Sequence, residues 1–127
     1  MKLLSNVIDC DNENELADFY AKMLGWTKTF FGNGYAVISS ADCPVLLVFQ
    51  HIENYEKPVF PPVQGRQARM THFDIYVENL DEGIKRACAL GAVLCEQQLF
   101  KGSITMLDPA GRPFCLVDSW EDGLFAQ

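Results

Sequence analysis

Apolar and polar positions along this chain follow one scheme, used twice. Leu4–Cys10 is short, apolar-biased and partly alternating, which fits a strand. Asn12 then stands where a helix N-cap belongs, and Glu15 three residues on completes a capping box in which Asn replaces the usual Ser or Thr. Leu16, Phe19, Tyr20 and Met23 follow at helical spacing, and Gly25 supplies a left-handed stop. The Leu16 and Phe19 side of this helix is expected to bury itself on a sheet. Thr27–Phe31, Tyr35–Ser39 and Val45–Gln50 read as strands, divided by the turn residues Gly32-Asn33-Gly34 and Ser40-Ala41-Asp42.

The scheme returns about 67 residues later, where Asn79-Leu80-Asp81-Glu82 opens a second helix. His72–Val77 is the strand before it, and Leu80–Leu90 the helix, with Ile84, Ala87 and Cys88 inward. Val93–Phe100, Ser103–Leu107 and Pro113–Val117 are the strands after it, the last two flanking the turn Asp108-Pro109-Ala110-Gly111. A duplicated half that cannot close a core alone implies a two-module sheet, and such sheets usually hold a ligand cleft where the modules meet. The modules span about 1–52 and 70–118. The linker 53–69 carries Pro58, Pro61 and Pro62 and exceeds the usual connection length, a habit of functional loops. Its Tyr55 and Phe60 either pin the linker to the body or line a pocket. The tail 119–127 bears Trp120 and Phe125, large apolar groups expected to pack back onto the body or onto a second subunit.

Composition narrows this further. At 127 residues the chain is long enough for one compact domain, and its apolar fraction of 49% speaks against disorder. No apolar run approaches the roughly 18 residues of a membrane span. Asn6 and Asp9 interrupt any signal-peptide core, so the protein reads as cytoplasmic. The net charge of -7 would repel phosphate backbones and anionic lipid, which excludes nucleic acid and membrane as expected partners. Five cysteines, odd in number and without CxxC spacing, indicate neither a disulfide framework nor a zinc knuckle; they are expected to be reduced and mostly buried.

The order of these segments carries a resemblance. The capped helix ending Ala21-Lys22-Met23-Leu24-Gly25-Trp26, then His72-Phe73-Asp74-Ile75-Tyr76-Val77, then Leu107-Asp108-Pro109-Ala110-Gly111-Arg112-Pro113-Phe114-Cys115-Leu116 together resemble the vicinal oxygen chelate superfamily of glyoxalase I, bleomycin-resistance proteins and extradiol dioxygenases. Phe49-Gln50-His51, the linker and the His72-x-Asp74 strand resemble its glyoxalase-like domain subgroup. The resemblance implies an α+β fold in which two βαβββ modules form a curved mixed sheet around a shared cleft, with the helices on the outer face.

It also implies a divalent metal held by a first-strand and a last-strand residue of each module, since a catalytic cation wants three or four N or O donors and an open position. The first module's positions fall near Ser5 and near Leu46 or Val48, none the expected donor. The second module's fall on His72, a good donor, and on Cys115, where metal-binding members carry Glu. Gln50 could add a carbonyl oxygen. Metal is therefore not favoured, although a divalent metal held by His72, Gln50 and Cys115 stays open.

His72 and Asp74 share a face, so Asp74 could orient a structural histidine, or the pair could act as a general base or ligand-binding group. Tyr76 continues that face as core or as a ligand contact. Cys115 would serve as a nucleophile only with a lowered thiol pKa. The three candidate catalytic residues are thus His72, Asp74 and Cys115, and the ligand-binding set is Gln50, Tyr55, Phe60, His72, Tyr76 and Cys115. The leading expectation is binding of a small, partly apolar organic molecule, by sequestration or an unassigned reaction. A metal-dependent lyase, isomerase or dioxygenase and a non-catalytic interaction module are the alternatives, and a homodimer is the expected assembly.

Overall fold

In the computed structural model, residues 1–119 are described, and they fall into two compact units. The first, Met1–Tyr55, contains β1 (Ser5–Cys10), α1 (Glu13–Leu24), β2 (Thr27–Gly32), β3 (Tyr35–Ser40) and β4 (Cys43–His51). The second, from Glu56 on, contains β5 (Asp74–Tyr76), α2 (Leu80–Ala89), β6 (Val93–Leu94), β7 (Ile104–Leu107) and β8 (Pro113–Val117). Trp120 and Phe125 lie outside the described residues. Each unit is a βαβββ module with its own four-stranded mixed sheet, ordered β1-β4-β3-β2 in the first and β5-β8-β7-β6 in the second. The α+β class and the duplicated module are therefore as expected. No helix among the described residues is long and apolar enough to cross a membrane.

Both helices begin as their sequences dictate. The Asn12 side chain accepts from the Glu15 amide at 3.1 Å, the capping bond itself, and its own amide donates to the Glu15 carboxylate at 3.2 Å. The two side chains thus answer each other, although the return bond comes from the Asn12 side chain rather than its backbone N–H. Asn79 accepts from the Glu82 amide at 3.0 Å in the same way. Gly25 ends α1 at φ 69°, a left-handed position that costs glycine nothing. Within the first unit, α1 buries Leu16, Ala17, Phe19 and Tyr20, and the Tyr20 ring stacks on Phe49 of β4 with centroids 5.6 Å apart. Asn33 and Gly34, both at positive φ, make the tight β2–β3 turn.

In the second unit Ala87 of α2 is buried, as are Met106, Phe114 and Leu116 of the sheet. Ile84 is only partly buried and Cys88 is exposed, so two of the three residues expected inward are not fully so. The buried stripe of α2 is narrow, with Ala87 alone fully covered, because acidic and basic residues occupy much of the helix surface. The thiols also depart from expectation. All five are free, but only Cys10 and Cys115 are buried; Cys43 and Cys95 are partly exposed and Cys88 is open.

The largest departure is the expected strand Val93–Phe100, of which only Val93–Leu94 remains. Gln98 explains it. Its side-chain amide accepts from the Thr105 N–H at 2.8 Å and donates to the Thr105 and Cys95 carbonyls at 3.0 and 2.8 Å. A side chain takes the ladder bonds a longer strand would make, and the main chain is released into an irregular segment.

Candidate functional site

Register builds the site. β5 runs parallel to β8 with Asp74 opposite Cys115, and β7 runs antiparallel to β8 with Thr105 opposite Cys115. Asp74, Cys115 and Thr105 therefore form one row across three strands, on one face of the second sheet. His72 stands two residues before Asp74, just ahead of the strand, where the Phe73 carbonyl accepts from the Cys115 amide at 2.8 Å and keeps the backbone in register. The alternation of β8 sends Phe114 and Leu116 to the other face. The offset that carries Asn12 onto Asn79 carries Phe49 onto Leu116, the position that meets the helix in the first unit. The row thus occupies the face away from the helix.

His72, Asp74 and Cys115 each place a ligating atom within 4.8 Å of the others. His72 Nε2 and Asp74 Oδ1 are 3.3 Å apart, with side chains 29% and 26% exposed. Burial pushes the His72 pKa below its usual value and the nearby positive charge of Arg69 adds to this, against the opposing pull of Asp74. His72 is consequently a neutral imidazole at neutral pH. The Cys115 thiol is pushed up, chiefly by burial, although its 3.6 Å contact with the Thr105 hydroxyl works the other way. It is a thiol rather than a thiolate at neutral pH, which removes the lowered pKa that a nucleophilic role requires.

The other expected residues divide between the units. Phe60 and Tyr76 belong with the row in the second unit; Tyr76 is 53% exposed and continues the Asp74 face. Gln50 and Tyr55 belong to the first unit, where the Gln50 amide donates to the Tyr35 hydroxyl at 3.2 Å. His51 donates from Nδ1 to the Asp11 carbonyl at 2.9 Å and lies 3.4 Å from the Glu53 carboxylate. These bonds raise its pKa, the backbone bond to Asp11 most.

The module repeat makes a sharper comparison than composition could. In the first sheet Val7 pairs with Val48, and Val48 with Val37, at the positions of Asp74, Cys115 and Thr105. Ser5 takes the place of His72. The polar row of the second unit is an all-valine row in the first, so the closing position is Val48 rather than Leu46.

Arg69 was not indicated by periodicity or motif. It ends the linker, and its guanidinium carbon sits 5.5 Å from the Phe60 ring centre and 5.2 Å from that of Phe100. The available signal was an arginine three residues ahead of His72, the second in a proline-bearing segment that also holds Arg66.

As a metal centre the set offers one nitrogen, one oxygen and one sulfur at suitable spacing, so in donor type the residues fit a divalent cation. The cost is that Cys115 must give up its proton beside a guanidinium that already repels positive charge from this face.

Comparison with known proteins agrees with this architecture. The profile of the glyoxalase-like domain family matches residues 5–117. No curated protein matches the chain in sequence. Among solved structures, a glyoxalase/bleomycin resistance protein/dioxygenase family enzyme from Burkholderia phytofirmans PsJN is similar at 16% identity and TM-score 0.67, over 93% of this chain and 98% of that one. A variant of the fosfomycin resistance protein FosX from Listeria monocytogenes, complexed with Mn(II) and 1S,2S-dihydroxypropylphosphonic acid, is similar at 14% identity and TM-score 0.67, over 99% and 96%. Protein ATC0852 from Agrobacterium tumefaciens follows at 18% and 0.66, over 93% and 97%. At such identities the likeness speaks to the fold alone.

Proposed function

The chain belongs to the glyoxalase-like domain family of the vicinal oxygen chelate superfamily, and from that premise we propose that it binds a small, partly apolar organic molecule on the His72–Asp74–Cys115 face of its second unit. The observation that supports this is the row itself: three chemically distinct side chains held within 4.8 Å by strand register. Asp74 fixes the imidazole, the neutral His72 offers one hydrogen-bonding nitrogen to a ligand, and the protonated Cys115 provides a soft, weakly polar floor. Binding is the step shared by sequestration and catalysis. Its test is thermal denaturation against a broad set of small aromatics, electrophiles and antibiotics. A ligand at about 100 times its dissociation constant should stabilise the protein by about 2.7 kcal/mol, and His72→Ala should blunt that gain. A library that moves the melting temperature of neither protein would sink the proposal.

A second reading is supported by the same donor cluster: a divalent cation on His72, Asp74 and Cys115, as FosX is complexed with Mn(II). Such an ion would polarise a substrate oxygen when bound. Cobalt(II) added to the purified chain would then produce a sulfur-to-metal absorption band that Cys115→Ser abolishes. Absence of the band, together with no stabilisation by added zinc or manganese, would remove this reading.

A further inference from the structure

The chain carries 17 acidic residues against 10 basic ones, yet Arg69 forms no ion pair among the described residues, and its Nη1 is buried without a hydrogen-bond partner. A guanidinium that ends in this condition is unusual. Buried donors are normally paired, and one left unpaired costs more when it carries charge. What holds Arg69 instead is a pair of aromatic rings. Phe60 and Phe100 stand 6.5 Å apart at 37° to each other, and the guanidinium rests against both. The rings orient the fork but satisfy none of its N–H groups.

Two further facts place this group in the site. Arg69 is near enough to lower the pKa of both His72 and Cys115, so its charge acts on the same face of the sheet. Phe60 and Phe100 both belong to segments outside any helix or strand, so the notch between the two rings, where the guanidinium rests, can widen without breaking a ladder. Asp74, the acid in the row, is engaged with His72, and no ion pair to Arg69 forms among the described residues.

We infer that Arg69 is an oxyanion anchor and that the molecule bound by the second unit is an organic acid. Its carboxylate or phosphonate pairs with Nη1, and its apolar body lies along the Phe60 and Phe100 rings. The planar fork matches a two-oxygen group, and pairing it removes the cost of the orphaned donor. The inference rests on the binding reading above and adds the chemical class of the ligand.

Calorimetric titration of the full chain with benzoate, phenylphosphonate and the neutral benzamide, at fixed ionic strength, tests it. Benzoate or phenylphosphonate should bind about tenfold or more tightly than benzamide, and the stronger of the two acids identifies which oxyanion the notch prefers. Arg69→Met, which keeps the side-chain bulk and removes charge and donors, should erase that preference while melting at or above the wild-type temperature. A purely structural arginine would instead lower the melting temperature on substitution and leave benzoate and benzamide alike. Equal binding of benzamide and both acids by the wild-type chain overturns the anchor without any variant, and leaves small-molecule binding standing. Failure of all three probes to bind overturns the anchor, and failure of the wider library besides overturns both.

Discussion

His72 and His51 carry the same side chain into opposite surroundings, and the contrast is measurable because they are the only two histidines in the chain. Burial and Arg69 depress His72, whereas hydrogen bonds to Asp11 and Glu53 raise the exposed His51. In metal-free protein, histidine ring NMR signals should therefore titrate in two steps, His72 below 6.5 and His51 above it. For His72 the unfolded chain binds more protons between the lowered folded pKa and the ordinary value, so its contribution to stability is lost as pH falls through that window. For His51 the contribution is present below the ordinary value and lost as pH rises through the raised one. A reversed order of titration would contradict the burial of His72. The thiols give an independent check. A thiol reagent should modify Cys88 first and Cys43 and Cys95 more slowly, with Cys10 and Cys115 reacting only on unfolding. Rapid labelling of Cys115 in the native chain would mean that the row is more open than described.

Gln98 is a side chain performing the work of a strand, and its removal should show at the level of the element. Gln98→Met keeps the length and leaves the Thr105 N–H and the Cys95 carbonyl short of partners, while the Thr105 carbonyl keeps its bond from the Cys95 amide at 3.2 Å. The expected loss is about 2 kcal/mol in urea denaturation, against less than about 0.5 kcal/mol for the neighbouring exposed Gln97→Met. Equal effects at the two positions would show that the amide bonds contribute nothing. The same residue explains an element that was misread. Val93 and Leu94 carry a strand-like signal that nothing in the following residues visibly stops, because the competitor is a side-chain amide with no periodicity. The helices were legible for the opposite reason: Asn12 and Asn79 mark their starts, and the apolar spacing from Leu16 to Met23 fixes a face. In α2 the apolar period overstates burial, since Ala87 alone is buried and Cys88, though apolar, is exposed.

For the chain as a whole, duplication was visible in the sequence and the fold followed from it, but the site did not. Asp74 and Cys115 could be placed in register because β5 and β8 are regular, and His72 follows from its spacing of two residues to Asp74. Arg69 and Phe100 could not, because they come from irregular segments whose path is set by contacts distant in sequence. Amide hydrogen exchange should reproduce that division. The central strands β3, β4, β7 and β8 should exchange slowest, and most amides of 56–73 and 95–103 fastest, with Val59, bonded to the Gln67 carbonyl, as a protected exception. Protection across 56–73 equal to that of β4 would argue against a notch able to open. The two modules also differ in a definite way: one has three valines where the other has Asp, Cys and Thr, so this row of the first sheet is apolar and that of the second carries chemistry. The Gln98 amide has a last consequence at this scale. β6 covers only Met106 and Leu107 of β7, and although the Cys95 amide reaches the Thr105 carbonyl at 3.2 Å, the Thr105 N–H would otherwise stand open at the margin of the sheet. By occupying that N–H and adding a second bond to the carbonyl, Gln98 denies a passing chain the template on which intermolecular β-aggregation begins.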